Sequence, residues 1–255
     1  MPIIPTQHLL IPFGTANLPD RGIAVSSSVP DGMSVECQIP HVVVNTSGSE
    51  PLRLNTCPYH FPELPPFRDL IETEDQLAYV RNYLSAYCDL WGKYQKLFLE
   101  RYFEFVADCV ESNQAELAGR VEKFGILYDY KDWVFSAFTP LPQAHLWAPA
   151  ENDGAPYDRS TMIPVDFAFW SGKTIFIIDL VGTETRGRKH RELRDRLARA
   201  GMAVVEIPQV SLHAEGGAAL KGLLPDVFGR FWEGEILPSG PFKPNTLVPP
   251  NSEGS

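Results

Sequence analysis

The spacing of apolar residues along this chain changes near residue 125. Between Glu72 and Phe124 apolar residues recur every three or four positions, which predicts two or three amphipathic helices. Later in the chain two apolar runs, Met162 to Trp170 and Thr174 to Val181, predict strands. The pair Ser171-Gly172 between these runs favours a tight turn, so we expect the two strands to form a hairpin.

Further elements are predicted on both sides of this hairpin. An earlier strand is expected at Trp133 to Phe138 and Ala144 to Trp147, as one strand or its broken halves. A helix from about Arg188 to Ala200 carries apolar residues on one face and ends at Gly201, and Met202 to Ile207 predicts a closing strand. The pattern is that of an α/β fold.

One more helix is expected just before these strands. Asn113 is a favourable N-cap residue, and the carboxylate of Glu116 follows three positions later. Gly125 is a residue at which this helix would end. Glu116 then has two interpretations, as the carboxylate of a capping box or as part of a functional site.

Composition divides the chain into four regions. Residues 1–70 are rich in Pro, Ser, Asn and Gly and predict an irregular or β-rich N-terminal region, which the Pro-rich run Phe61 to Phe67 closes. Residues 71–112 are a helical segment, 113–236 contain the predicted sheet, and 237–255 form a Pro-rich tail that we expect to be extended or disordered.

Charge and hydropathy narrow the class of protein. The chain has 22 Lys and Arg against 32 Asp and Glu, a net charge of −10, which argues against a free-standing, non-specific nucleic-acid binder. No apolar run approaches the roughly 20 residues of a membrane span and no signal segment is evident, so we expect a cytoplasmic protein without membrane contact. Seven cations nevertheless crowd one short segment: Arg186, Arg188, Lys189, Arg191, Arg194, Arg196 and Arg199.

Several common site chemistries are disfavoured. The four cysteines lack the spacing of a zinc site or a disulfide framework, and Cys57 with His60 has no second ligand pair, so free thiols are expected. No nucleophile elbow accompanies the histidines, and the glycines after Val181 lack the spacing of a phosphate-binding loop.

Two carboxylates inside apolar strands are the strongest chemical signal. Asp is depleted from strand interiors and costly to bury without a partner, so Asp166 and Asp179 require a shared metal ion, a basic partner or exposure at a strand end. A structural network of ion pairs between these carboxylates and the arginines of the basic helix is the alternative to a functional site. The basic helix itself is either a phosphate-binding surface or a solvated face.

The order of helix, three strands, helix and strand over residues 113 to 208 resembles the core of the restriction-endonuclease-like, PD-(D/E)XK, nuclease superfamily. Pro164-Val165-Asp166 stands at the position of its first acidic motif, and Asp179-Leu180-Val181 at its acidic-x-Lys motif. The second stretch and the following basic helix are similar to the very-short-patch-repair-like branch.

This resemblance implies a metal-dependent nuclease site. Asp166, Asp179 and the Leu180 carbonyl would hold Mg²⁺ or Mn²⁺, both of which favour oxygen ligands. Glu116, or less favourably Glu122, would be an auxiliary acid. The implied catalytic set is Asp166, Asp179, Glu116 and Lys189, and the implied nucleic-acid contacts are Arg188, Lys189, Arg191 and Arg194.

The lysine of the acidic-x-Lys motif is replaced by Val181 in this chain. Lys173 and Lys189 are the candidate substitutes, and relatives in the repair-like branch also lack that lysine.

Two functions follow from the resemblance. The first is a DNA endonuclease in a prokaryotic defence or repair complex whose partner protein supplies nucleic-acid affinity. The second is an inactive nuclease-like subunit that binds a partner protein or partner-held nucleic acid.

Overall fold

The computed structural model describes residues 3–5, 8–14, 23–29, 32–37, 39–48, 50–55, 72–89, 92–125, 127–147, 162–182 and 188–238. The Pro-rich run Phe61 to Phe67, the Cys57 and His60 pair and the tail beyond Pro238 lie outside these residues. No helix in the described part of the chain is both long enough and apolar enough to span a membrane.

A four-stranded mixed sheet forms the centre of the α/β fold. Its strands are β6 (Leu141–Trp147), β7 (Met162–Trp170), β8 (Ile175–Val181) and β9 (Ala203–Pro208), and they are adjacent in that order. β7 is antiparallel to both β6 and β8, and β9 runs parallel to β8. A parallel partner requires a crossover, which α4 (Arg188–Arg199) supplies.

The hairpin between β7 and β8 is confirmed, with a longer turn than the sequence predicts. Trp170 pairs with Ile175, so four residues form the connection. Ser171 closes it, because its amide and its hydroxyl both donate to the Thr174 carbonyl, at 3.2 and 2.9 Å. Gly172 has φ +87°, a conformation that most other residues avoid.

Helices cover one face of the sheet. These are α1 (Thr73–Ala86), α2 (Lys93–Ser112) and α3 (Gln114–Val121), so the helical periodicity before residue 125 is confirmed. Aromatic rings of α2 lie on β7: Phe98 is 4.6 Å from Phe167 and Tyr102 is 5.2 Å from Phe169, between ring centroids. Residues 209–238 complete this core through two 3-10 helices, Gln209–His213 and Gly217–Leu220, and α5 (Asp226–Gly229).

Two expectations about local structure are wrong. The predicted strand half at Trp133 to Phe138 is a 3-10 helix, Tyr130–Ser136, because Asp129 caps it by accepting the Lys131 amide at 2.9 Å. The capping box expected at Asn113 is absent. The Asn113 side chain instead donates to the Cys109 carbonyl at 2.8 Å, because α2 runs up to this residue and leaves an unpaired carbonyl within reach.

The N-terminal region is β-rich, as expected. Its strands form one sheet of β1 (Ile3–Pro5), β4 (Gly32–Cys37) and β3 (Ile23–Val29), and a ribbon of β2 (His8–Pro12) and β5 (His41–Asn45). The ribbon packs with its apolar residues in the same core as β6 and α4, on the sheet face opposite to α2. The N-terminal region therefore contributes to the core of the predicted nuclease-like domain.

Arg53 joins three distant segments in the interior. It is only 7% exposed, and its guanidinium donates to the carbonyls of Ser136 and Phe231 and pairs with Glu235 at 2.9 Å. Burial lowers the pKa of this guanidinium and Glu235 opposes the change. These contacts tie residues 231–235 to Arg53 and to the end of the 3-10 helix Tyr130–Ser136.

Replacing Arg53 by Ala should therefore destabilise the fold. The change leaves two carbonyls and a carboxylate without their donor, and removing one member of a buried pair costs about 3–5 kcal/mol. Urea unfolding followed by circular dichroism measures this loss. Arg230→Ala is the matched control, because Arg230 forms an exposed pair with Glu233, and its cost should stay below about 1 kcal/mol. Equal costs for the two variants would contradict this role of Arg53.

Candidate functional site

The pairing of β7 with β8 places Asp166 and Asp179 opposite each other. The last recorded pair of the ladder is Phe167 with Ile178, and the next positions are the two aspartates. Residues opposite each other in an antiparallel pair present their side chains on the same face. The Leu180 amide donates to Asp166 Oδ2 at 2.9 Å. The Asp166 side chain therefore accepts a hydrogen bond that a main-chain carbonyl of the neighbouring strand would normally accept.

Asp166 is held from a second direction by α2. Gln95 Nε2 donates to Asp166 Oδ1 at 3.1 Å. The other amide atom of Gln95 accepts from the Asp89 amide at 3.1 Å and from Gln143 Nε2 at 3.2 Å. Both oxygens of Asp166 therefore have a fixed donor, and the carboxylate has a defined orientation.

Asp179 is only 6% exposed and has its partner on α4. His190 Nε2 lies 2.7 Å from Asp179 Oδ2. A buried carboxylate requires such a partner, so His190 helps to explain how an aspartate is tolerated in this apolar strand.

A cavity of about 280 Å³ lies between α4 and the sheet, and these polar groups line it. The aspartates come from β7 and β8, Gln143 from β6, Gln95 from α2, and His190 and Arg194 from α4. Asp89, between α1 and α2, adds a third carboxylate, and the rest of the lining is aliphatic. Convergent polar groups in a cavity with apolar walls are typical of a binding site.

The position expected for the lysine of the motif holds no cation. Val181 is half-buried at the end of β8, and the neighbouring Leu180 carbonyl accepts from Gln209 Nε2 at 3.3 Å. Lys173 is exposed in the turn before β8, and four residues of strand, about 13 Å, separate Ile175 from Asp179. Lys189 lies on α4 beside His190, where only its main chain is described.

Glu116 is not among the residues that line the cavity. It is exposed on α3 and forms an ion pair of 2.7 Å with Arg120, and Glu122 is exposed in the next turn. The expectation that Glu116 joins the two aspartates is therefore not met. The helix that reaches them is α2, through Gln95, because the aromatic residues of α2 pack directly on β7.

The cations of α4 differ in their surroundings. Arg194 lines the cavity and pairs with Glu206 of β9. Arg191 is exposed and has no ion pair with any residue the structure describes. For Arg188, as for Lys189, only the main chain is described. Arg191 is thus available to a ligand, whereas Arg194 already compensates a carboxylate.

The described cysteines have the properties of inert thiols. Burial raises the pKa of Cys88 to about 12 and that of Cys109 to about 11. Only the thiolate is a good nucleophile, so neither residue is suited to covalent catalysis near neutral pH.

The donor atoms of the cavity suit a hard cation with few protein ligands. The described residues include no group of three or more His, Cys, Asp and Glu side chains that could hold a metal ion. Among the lining residues Asp89, Asp166 and Asp179 offer carboxylate oxygens, whereas the Leu180 carbonyl is not part of the lining and accepts from Gln209. Mg²⁺ commonly binds one or two carboxylates while water and substrate phosphates complete its coordination. The residues therefore fit Mg²⁺ or Mn²⁺ and do not fit a closed structural metal site.

Comparison with known proteins found no match among family models, curated proteins or solved structures.

The hydrogen bonds of Asp166 predict how its substitutions affect stability. Asp166→Ala removes the acceptor of the Leu180 amide, and a buried donor without a partner costs about 1–3 kcal/mol. Asp166→Asn keeps one acceptor oxygen and should cost less. Unfolding of both variants in urea tests this difference, and an Asn variant as unstable as the Ala variant would show that the Leu180 contact contributes nothing.

Proposed function

We propose that this chain is a metal-dependent endonuclease that hydrolyses DNA phosphodiester bonds. The observation that carries this proposal is the pairing of Asp166 and Asp179 on adjacent strands, beside one cavity. The sheet around them has three antiparallel strands, a helical crossover and a parallel fourth strand. This order supports a restriction-endonuclease-like core.

The roles of the residues follow from their contacts. A divalent ion bound here would polarise the scissile phosphate and lower the pKa of an attacking water. Asp166 and Asp179 would bind that ion. Gln95 and the Leu180 amide orient Asp166, and His190 orients Asp179. A fixed orientation matters because small displacements of catalytic groups reduce rates strongly.

Cations of α4 next to His190 in the chain are suited to the phosphate of the substrate. Arg191 is exposed on α4, one residue from His190, and Lys189 is the other neighbour of that histidine. β8 carries Val181 in place of the lysine and has no other cation. We therefore expect the cations of α4 to stabilise the negative charge of the phosphate.

The rest of the chain is acidic, so a partner is part of the proposal. A net charge of −10 opposes unaided binding to DNA. A complex in which a second protein holds the DNA would remove this difficulty. A prokaryotic defence or repair system is the setting that the resemblance favours, and DNA is favoured over RNA on the same ground.

A second function has its own support. Val181 removes the lysine of the motif, and the carboxylate oxygens named above already accept hydrogen bonds. These features favour a nuclease-like subunit without activity that binds a partner protein or partner-held nucleic acid.

Plasmid nicking in Mg²⁺ or Mn²⁺ separates the two functions. The wild-type chain, with its co-purifying proteins, should nick supercoiled DNA. Asp179→Ala should lower the rate at least about 100-fold, because one of two ligand carboxylates is lost.

Asp195→Ala is the matched control for this loss. Asp195 is exposed on the same helix as His190, so its removal should leave the rate unchanged. Circular dichroism must show that both variants are folded. Full nicking by Asp179→Ala would place the catalytic centre elsewhere, and no nicking by the wild type with its partners would favour the inactive subunit.

The salt dependence of DNA binding tests the role of α4. Each cation that contacts duplex phosphate adds about 0.9 to the slope of log affinity against log salt. Arg191→Ala should lower the slope by about that amount in the native assembly. Arg194→Ala should lower it less, because Glu206 already compensates Arg194. An unchanged slope for Arg191→Ala in a folded protein would mean that α4 does not face DNA.

A further inference from the structure

Gln143 has an unusual backbone conformation for a residue inside a strand. Its φ is +48°, in the left-handed region that residues other than glycine rarely adopt. In the part of the chain that the structure describes, no other residue except glycine has a positive φ. Such a conformation is unfavourable, persists only where the surrounding structure imposes it, and occurs most often at functional sites.

An inserted residue does not explain the conformation of Gln143. On one side of it Pro142 pairs with Phe167, and on the other side Ala144 pairs with Val165, in one continuous register. A β-bulge would shift that register by one residue. Gln143 therefore lies opposite the aspartate of β7, and the ladder between β6 and β7 lacks only this pair.

The side chain of Gln143 is buried and belongs to a chain of hydrogen bonds. Gln143 is 6% exposed, and its Nε2 donates to Gln95 Oε1 at 3.2 Å. The same oxygen accepts from the Asp89 amide at 3.1 Å, and Gln95 Nε2 donates to Asp166 Oδ1 at 3.1 Å. Gln143 thus reaches the carboxylate of Asp166 through one intervening residue.

The kinds of donor and acceptor fix the direction of these bonds. The main-chain N–H of Asp89 can only donate and an ionised Asp166 can only accept, so Gln95 turns its oxygen to the former and its nitrogen to the latter. A second group that meets Gln95 Oε1 must also be a donor, and Gln143 Nε2 is that donor. Rotation of the Gln95 amide would break all of these bonds together.

We propose that Gln143 is a positioning residue for Asp166, and that its strained backbone serves to place its Nε2 on Gln95 Oε1. Gln143 acts through Gln95, which holds Asp166 Oδ1 in a fixed direction. This inference rests on the proposed function, in which Asp166 binds the ion. Groups that orient the ligands of a metal ion commonly change its affinity about 10–100-fold when they are removed.

Two substitutions of Gln143 separate positioning from a merely structural role. Gln143→Gly and Gln143→Ala both remove the amide, but only glycine adopts a positive φ without strain. The Gly variant should therefore unfold at a higher urea concentration than the Ala variant. Both should weaken Mn²⁺ binding to the full chain to the same extent, about tenfold, measured by electron paramagnetic resonance. Weakening that follows stability instead, or no weakening, overturns the proposal.

Gln95→Ala tests whether Gln143 acts through Gln95. In that background Gln143→Gly should cause no further loss of Mn²⁺ affinity, because the intermediary is already absent. Losses that multiply in the double variant contradict this route and overturn the proposal. Gln114→Ala is the matched control, since Gln114 is exposed on α3 and outside the cavity, and it should leave Mn²⁺ affinity unchanged.

Hydrogen exchange of the Gln95 side-chain amide tests the inference even without a bound ion. Nuclear magnetic resonance of the full chain should show that Gln143→Gly speeds this exchange at least about tenfold, whereas Gln114→Ala leaves it unchanged. Unchanged exchange in the folded Gly variant overturns the positioning role, even when the wild type binds Mn²⁺ and nicks DNA. Faster exchange in a protein whose wild type binds no Mn²⁺ supports the hold on Asp166 and contradicts the proposed function.

Discussion

The contact between the Leu180 amide and Asp166 Oδ2 is the interaction on which the proposed site depends. It occurs where the β7 and β8 ladder ends, so one side chain replaces a strand carbonyl. The contact fixes Asp166 in the register that places it opposite Asp179. A shift of one residue would turn one aspartate to the other face of the sheet.

The rest of the fold maintains this register. Aromatic residues of α2 pack on one face of the sheet, and α4 and the N-terminal ribbon pack on the other. Each layer also supplies a polar partner to an aspartate: Gln95 from α2 binds Asp166, and His190 from α4 binds Asp179. The same packing therefore positions the site and leaves the cavity beside it.

The sequence predicted the local features of the site better than its distant contacts. The hairpin with Asp166 and Asp179 follows from two apolar runs and a turn pair, both of which are local signals. Gln95 and Gln143 were missed because their partners lie 71 and 48 residues away, and an amide side chain carries no charge signal. Glu116 was assigned from its position before the strands, but packing brings a different helix to the aspartates.

Crystals soaked in Mn²⁺ would test the central claim most directly, because anomalous scattering locates the ion. The account predicts one site with an oxygen of Asp166 and an oxygen of Asp179 both as ligands, about 2.0–2.2 Å away as for comparable divalent ions. It also predicts that Asp179→Ala removes this site. Mn²⁺ bound only elsewhere, or no bound ion while His190 remains on Asp179, would contradict a metal-dependent centre at this hairpin.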